Sequence, residues 1–250
     1  MVNIFKKKKI VIWISSIVLS LSILVGGVLL YTSDYYFADT VAIEAFRVDG
    51  TVQKREVKKG ITAYGKEDAD YGIIFYPGGK VEHKAYEPLM RELASKGALC
   101  VLVEMPFNLA VLGMNKADGI REQFPNVSRW YMSGHSLGGA MAAAYLEKNA
   151  SEFEGLILLA AYSTTDLSST SLRVLPIYGS EDGVMNMEKY EECKTNLPAN
   201  TYDVKLKGGC HAYFGMYGEQ EGDGTPTLTN VEQIRKTSEH ITRFIAEGVK

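Results

Sequence analysis

Three side chains with complementary chemistry occur along the chain in the order Ser136, Asp182 and His211. A serine hydroxyl becomes a nucleophile when a neighbouring base takes its proton. Histidine can take that proton and later return it to a leaving group, while a carboxylate holds the imidazole in one tautomer and stabilises its charged form. This set of residue types predicts nucleophilic attack by Ser136 on an acyl group.

The serine stands where the chain changes character. The run Arg129-Trp130-Tyr131-Met132 is typical of a short apolar strand, and small residues typical of a closely packed helix follow Ser136. Between them Gly134-x-Ser136-x-Gly138 matches the sharp strand-to-helix turn called a nucleophile elbow. Glycine at its two outer positions avoids collisions with neighbouring backbone. The N-terminus of the helix directs N–H groups towards developing negative charge.

Two backbone N–H groups are needed to stabilise the negative oxygen of a tetrahedral intermediate. One is expected from Leu137, the residue after the serine. The other is expected from the turn Pro77-Gly78-Gly79-Lys80, where Gly79 is favoured, Lys80 is second, and an ordinary Gly-Gly turn is the structural alternative. Lys80, His135 and Tyr213 are the further residues predicted to border a substrate pocket.

Other residues compete for these roles. Asp182 precedes a glycine and could be a turn residue, in which case Glu181 or Asp166 would supply the acid. His83 and His240 lie in predicted helices and are expected to be surface or packing residues. His135 is next to the serine but is expected to point away from it. His211 alone follows the last predicted strand.

The elements that must position these residues alternate strictly between apolar strands and amphipathic helices from Tyr71 to Ala246. Such alternation predicts an α/β fold with a mostly parallel, doubly wound sheet that is covered on both faces. Ligands bind at the carboxyl ends of the strands in such sheets. The turns after the strands that end near Tyr76, Met132, Tyr178 and Leu206 carry the candidate residues.

The N-terminus has a different composition. A basic segment at residues 1–9 precedes 22 uncharged residues at 10–31, which is long enough for a transmembrane signal-anchor. Residues 32–47 are predicted as a linker helix, and residues 48–250 as the α/β domain. The lysines predict a cytoplasmic N-terminus and a single-pass protein of the cell membrane with an extracytoplasmic domain. A cleaved signal peptide, which would give a secreted domain, is the alternative.

Composition excludes some partners. Outside the N-terminal lysines the chain carries 23 basic and 30 acidic residues, which argues against nucleic acid. The spacing of cysteine and histidine does not suggest zinc, and no metal or cofactor is expected. A bridge between Cys193 and Cys210, and a calcium site in the acidic loop 215–227, stay open as alternatives. The oligomeric state is not indicated.

The chain resembles the α/β-hydrolase superfamily over roughly residues 48–247. The resemblance is carried by Gly134-His135-Ser136-Leu137-Gly138-Gly139 and by the Asp182 and His211 turns, whose chain order is that of nucleophile-elbow hydrolases. Within the superfamily, the chain is more closely similar to the compact group related to dienelactone hydrolase. The runs Phe75 to Glu82 and Gly209 to Gly215 are similar to turns of that group. Dienelactone hydrolase uses cysteine where serine stands here.

The resemblance implies hydrolysis of an acyl bond in a small-molecule substrate, with a serine carboxylesterase as the leading prediction. Acyl transfer, peptide cleavage and a binding module without activity are the alternatives. About a dozen polar residues separate the strands near Ala160 and Leu172, too few for the helical lid of larger relatives. A shallow, open pocket for small or extended acyl groups is therefore expected.

Overall fold

The computed structural model describes residues 2–248, with the backbone alone for residues 2–12 and 29. Its internal contacts separate two compact units, Met1–Tyr35 and Tyr36–Lys250.

The first unit is built from one long helix, α1 (Val2–Ser33). Within it, Trp13–Ser33 is long and apolar enough to cross a membrane, by length and composition. This stretch overlaps the span predicted at residues 10–31. The lysine side chains of the predicted basic segment 1–9 lie outside the described residues.

The second unit alternates strands and helices. The strands are β1 (Lys54–Lys58), β2 (Ile61–Tyr64), β3 (Tyr71–Tyr76), β4 (Leu99–Val103), β5 (Arg129–His135), β6 (Gly155–Leu159), β7 (Arg173–Gly179) and β8 (Val204–Leu206). The helices are α2 (Thr40–Ala45), α3 (Glu87–Ser95), α4 (Leu137–Asn149), α5 (Met187–Cys193) and α6 (Asn230–Glu247). Short 3-10 turns link several of these elements.

The strands join into one sheet in the order β1-β2-β4-β3-β5-β6-β7-β8. β2 is antiparallel to both neighbours, and the other adjacent pairs are parallel. Ile73 and Phe75 belong to the buried cluster on one face, and Ile74 and Tyr76 to the cluster on the other. Because both faces are covered, the strands can be apolar throughout. The predicted mostly parallel, doubly wound α/β sheet is confirmed.

Helix α4 lies close to the sheet because glycine occupies its contact positions. A Cβ atom at Gly138 would collide with the carbonyl oxygens of Tyr76 and Pro77, and one at Gly134 would collide with the backbone of Gly138. Backbone atoms cannot move aside as the end of a flexible side chain can. The glycines therefore let the start of α4 reach the turn that follows β3.

The sequence from Asn115 to Phe124, just before Pro125, predicts one of the alternating helices, but short 3-10 turns take its place. The buried hydroxyl of Tyr76 donates to the Met114 carbonyl at 2.6 Å and accepts from the Ala117 N–H at 2.9 Å. Gly119 then adopts a left-handed backbone with φ of 72°. The Tyr76 side chain thus forms hydrogen bonds with backbone groups that would otherwise bond within a helix.

The segment assigned to a linker from the sequence belongs to the compact second unit from Tyr36 onwards. Its helical part is shorter than expected, and Ile43 and Phe46 are buried in the core. The Tyr36 N–H donates to the Lys80 carbonyl at 2.8 Å, and the Tyr36 hydroxyl accepts from the Glu221 N–H at 3.3 Å. Burial of its apolar side chains explains why this stretch packs instead of extending.

Gly138→Ala is expected to lower the free energy of unfolding by about 1–3 kcal/mol, because the added methyl group overpacks the contact between α4 and β3. Chemical denaturation of the detergent-solubilised chain would measure the change. Glu147→Ala, at an exposed position of the same helix, is the control and should change stability by less than about 0.5 kcal/mol. Equal stability of the two variants would contradict the close packing.

Candidate active site

Ser136 lies between β5 and α4 in a backbone conformation that side chains rarely adopt. Its φ is 50° and its ψ is −123°, a region that costs on the order of 1–3 kcal/mol and persists only when the surroundings enforce it. The Ser136 N–H donates to the Leu159 carbonyl at 2.9 Å. Strand pairing on one side and the close-packed helix on the other thus hold the serine at the carboxyl edge of the sheet.

Asp182 and His211 come from the turns after β7 and β8 and form a buried pair. The Nδ1 atom of His211 lies 2.9 Å and 3.1 Å from the two carboxylate oxygens of Asp182. The side chain of His211 is 2% exposed and that of Asp182 is 0% exposed. The carboxylate also accepts from the N–H groups of Val184 and Met185. These donors replace water around the buried Asp182 and fix its orientation towards the imidazole.

The two other acidic candidates do not reach the imidazole. Glu181 is exposed, and its carboxylate accepts from the Ser180 hydroxyl at 2.7 Å. Asp166 is also exposed and binds the backbone and hydroxyl of Ser168. Of the three candidate acids, the structure brings only Asp182 to His211.

Ser136 and His211 line the same cavity, which has a volume of about 350 Å³. With Nδ1 bound to Asp182, the remaining nitrogen of His211 is Nε2. That atom is buried and has no hydrogen-bond partner among the described residues, so it does not bond the Ser136 hydroxyl in this arrangement. Catalytic hydrogen bonds are often longer in ligand-free sites and tighten when substrate binds.

The wall of this cavity is mainly apolar. Its apolar side chains are Leu137, Ala140, Ala160, Ala161, Val184 and Met185, and its other polar members are Tyr162, Thr164 and Asn186. No helix is inserted between β6 and β7, a connection that lies wholly within the described residues. The volume is near the lower end of ligand pockets, which suits a small apolar group beside Ser136.

The turn after β3 offers one unused N–H group next to this cavity. The Gly78 N–H donates to the Tyr86 hydroxyl at 3.1 Å, and the Lys80 N–H donates to the Asn108 carbonyl at 2.8 Å. For the Gly79 N–H no acceptor is found within the described part of the chain. A Cβ atom at Gly79 would lie 2.9 Å from Leu137 Cδ2. Gly79 therefore adjoins Leu137, whose own N–H begins α4 and has no acceptor within the helix.

His135, suggested by the sequence as a pocket residue, is buried and is not among the residues that line the cavity. Its Nδ1 lies 2.7 Å from the Tyr86 hydroxyl, and its Nε2 lies 3.1 Å from the His211 carbonyl oxygen. The Tyr86 hydroxyl accepts from Gly78, so its own proton is available for Nδ1. This pattern puts the proton of a neutral His135 ring on Nε2.

Lys80 and Tyr213, the other predicted pocket residues, also stand away from the cavity lined by Ser136. The backbone of Lys80 links Asn108 and Tyr36, with φ of 57°. Tyr213 borders a separate, smaller cavity of about 150 Å³. Both residues follow turns that carry predicted site groups, which is why sequence position alone suggested a place in the pocket.

Asp223 lies near the site, whereas its sequence position in the acidic loop 215–227 suggested only an alternative calcium ligand. Its carboxylate accepts from the backbone N–H groups of Gly183, His211 and Ala212 at 3.2, 3.0 and 2.8 Å. The sequence signal available was an aspartate between two glycines, Gly222 and Gly224, in the loop after His211.

The remaining alternatives concern metals and cysteines. All three cysteines are free in the structure, which does not form the alternative bridge between Cys193 and Cys210. No cluster of ligand-type side chains that could hold a metal ion is found among the described residues. In the acidic loop, the Asp223 carboxylate accepts hydrogen bonds from backbone N–H groups.

The arrangement contains the groups that serine-based acyl transfer requires. A hydroxyl and an imidazole share one cavity, a carboxylate orients the imidazole, and two neighbouring N–H groups stand at the end of β3 and the start of α4. Such a set can attack a carbonyl carbon, transfer a proton and bind an oxyanion. The outermost of these residues, Gly79 and His211, are more than 130 positions apart in the sequence. The edge of the sheet brings their turns together.

Comparison with known proteins identifies the family and the fold. A model of the alpha/beta hydrolase family matches residues 72–235, which include Ser136, Asp182 and His211. A crystal structure described as a predicted CIB-like hydrolase from Thermoplasma acidophilum is similar, with a TM-score of 0.55 and 15% sequence identity. The match covers 77% of this chain and 99% of that chain, and at this identity the likeness is one of fold. No curated protein matches the chain.

The burial of His135 predicts a pH-dependent stability. Burial, reinforced by the nearby His211, holds the pKa of His135 well below its ordinary value of 6.5. Below pH 6.5 the unfolded chain binds a proton that the folded chain does not, so this contribution to stability is complete above pH 6.5 and falls as the pH drops. The loss can reach about 1.4 kcal/mol per pH unit.

Urea unfolding at pH 7.5, 6.0 and 5.0 would measure this slope in the parent and in His135→Gln. The variant is expected to lose less stability on acidification, whatever its stability at pH 7.5. Burial also lowers the pKa of His240, so His240→Gln serves as a control with a smaller expected change. Identical slopes for the parent and His135→Gln would contradict the assignment.

Proposed function

Because the chain belongs to the alpha/beta hydrolase family, we propose that it is a serine carboxylesterase that uses Ser136, His211 and Asp182. Membership of the superfamily and hydrolase fold agrees with the resemblance found in the sequence. The observation that carries the finer proposal is the buried Asp182–His211 pair, which opens onto the cavity that Ser136 lines.

The reaction follows from the positions of these groups. The Ser136 oxygen attacks the ester carbonyl carbon while Nε2 of His211 takes the hydroxyl proton. The carbonyl oxygen becomes an oxyanion that accepts hydrogen bonds from the N–H groups of Gly79 and Leu137. His211 then gives its proton to the departing alcohol, which leaves an acyl-serine. A water molecule, deprotonated by His211, hydrolyses that intermediate and restores Ser136.

Asp182 supports both proton transfers by holding Nδ1–H and stabilising the imidazolium. Nε2 is buried and has no partner in the part of the chain that the structure describes, which supports this role because an unsatisfied buried nitrogen is uncommon in proteins. A substrate-bound serine hydroxyl or leaving-group oxygen would satisfy it.

The cavity favours a small acyl group. Its volume of about 350 Å³ must hold the acyl chain and part of the alcohol, and its walls are mainly apolar. Short-chain esters of small alcohols therefore fit better than long-chain esters. Acyl transfer or peptide cleavage would use the same groups, and the nature of the acceptor distinguishes them from ester hydrolysis.

Hydrolysis of p-nitrophenyl acetate and butyrate by the detergent-solubilised chain tests this function. Ser136→Ala is expected to lower kcat at least about 10³-fold, since removing the nucleophile leaves only binding and oxyanion stabilisation. The octanoate ester should react at least about ten-fold more slowly than butyrate because the pocket is small. Ser136 should also be labelled by a fluorophosphonate.

Ser168→Ala, which removes an exposed hydroxyl, is the matched control and should leave kcat unchanged. An inactive parent that no fluorophosphonate labels would refute the esterase. Faster product release on adding alcohol or amine acceptors, with transfer products formed, would favour an acyltransferase.

We also propose that Trp13–Ser33 anchors the protein in the cell membrane, with the N-terminus in the cytoplasm and the hydrolase domain outside. The length and apolarity of this helix and the four lysines before it support the orientation. With the anchor retained, the reaction would take place at the outer membrane surface.

Leu21→Arg combined with Leu24→Arg should release the chain from membranes, because each charge at the centre of a span costs about 2.5–3.5 kcal/mol. Sedimentation after an alkaline wash would measure the membrane-bound fraction. The mass of the mature chain reveals whether the span is removed, as a cleaved signal peptide requires. A full-length chain that never sediments with membranes would refute the anchor.

A further inference from the structure

The carboxylate of Asp223 is surrounded by backbone N–H groups from three segments. Its oxygens accept from His211 at 3.0 Å, from Ala212 at 2.8 Å and from Gly183 at 3.2 Å, and from the following residue Gly224 at 2.9 Å. Asp223 does not line the cavity that contains Ser136. These contacts belong to no step of the reaction described above.

The contacted N–H groups stand at informative places in the chain. One belongs to His211 itself, and another to Gly183, which directly follows Asp182. The turns after β7 and β8 are also joined on their incoming side, where the Glu181 N–H donates to the Gly209 carbonyl at 2.8 Å. On the other side, just after Asp182, the Asp223 carboxylate links the two turns by accepting from both Gly183 and His211.

The charge of Asp223 suits this role. Burial raises its pKa, but the N–H groups of Ala212, His211 and Gly183 outweigh that effect and leave the pKa below its ordinary value. A charged carboxylate offers two oxygens with about four acceptor sites, whereas an asparagine side chain offers one oxygen and an NH₂ group. An amide at this position would therefore direct donors against some of the backbone donors.

We propose that Asp223 is a positioning residue that fixes the spacing between the Asp182 turn and the His211 turn. The backbone contacts stand by themselves, and the consequence for catalysis rests on the esterase function proposed above. Displacement of a catalytic group by about 1 Å can cost on the order of 10²-fold in rate. Loss of this clamp should therefore act mainly on kcat, because much of the cavity wall, from Leu137 and Ala140 to Ala160 and Ala161, lies outside the two turns.

Asp223→Asn is the main variant because it preserves the size of the side chain and removes its charge and half of its acceptors. Glu221→Gln is the matched control, since it neutralises an exposed carboxylate two residues earlier in the same loop. Both are compared with the detergent-solubilised parent. The first readout is amide hydrogen exchange at Gly183, His211 and Ala212, which requires no enzymatic activity.

Exchange at these three amides is expected to be at least ten-fold faster in Asp223→Asn and unchanged in Glu221→Gln. The second readout is hydrolysis of p-nitrophenyl butyrate, with active sites counted by fluorophosphonate labelling. Asp223→Asn should lower kcat per labelled site by 10- to 100-fold and change KM by less than three-fold. The midpoint of the acidic limb of the pH profile of kcat/KM should also move, which simple loss of folded protein would not produce.

The outcomes separate the two proposals. Unchanged amide exchange in Asp223→Asn overturns the clamp, whatever the activity. Faster exchange with unchanged kcat and pH profile overturns the positioning role. A parent that is inactive and unlabelled overturns the esterase, and the exchange data then still report on the clamp.

Asp223→Ser is the second variant, for use if the asparagine variant does not fold. Its short side chain cannot reach both turns at once, and the surface loop can accommodate its smaller size. The same acceleration of amide exchange and the same loss of kcat are expected. Parent-like values in this variant would overturn the proposal.

Discussion

A carboxylate can remain inside a protein only where hydrogen-bond donors replace water, and the site of this chain depends on that constraint at Asp182. Its donors are two N–H groups of its own turn and the imidazole of His211. The imidazole can serve only if the turns after β7 and β8 end side by side, and parallel pairing of these strands provides that. Pairing of β7 with β8 therefore places the imidazole where it satisfies the buried carboxylate, and the bond at Nδ1 leaves Nε2 as the remaining ring nitrogen.

A second requirement operates on the opposite side of the cavity. The serine must project from a turn that ordinary side chains do not favour, and glycines allow the following helix to approach the backbone of β3. That approach brings Leu137 to Gly79, so two N–H groups without helical or sheet partners become neighbours. The adjacent N–H groups of this turn, those of Gly78 and Lys80, donate to the Tyr86 hydroxyl and the Asn108 carbonyl. The single available donor there is thus defined by what its neighbours already bind.

The sequence predicted the fold and the choice of Ser136, Asp182 and His211 better than it predicted which groups contact the residues around them. The alternation of apolar strands with helices was enough to predict the sheet, because strands buried on both faces are apolar at every position. Ser136, Asp182 and His211 could be proposed because each follows a strand and carries a distinctive side chain. The 115–124 helix was wrong because the hydroxyl of Tyr76, distant in sequence, captures that backbone. The inward position of His135 and the contacts of Asp223 likewise depend on partners that local pattern does not reveal.

The contacts of Tyr36 have a consequence for how short the chain can become. This residue bonds the turn after β3 through its backbone and the loop that contains Asp223 through its hydroxyl. A processing peptidase that trims the N-terminus could remove everything upstream and leave both connections in place. Cutting a few residues further on would remove the hydrogen bonds that Tyr36 makes to both loops. A form trimmed past Tyr36 therefore loses these bonds, whereas the end of the apolar helix at Ser33 lies before them.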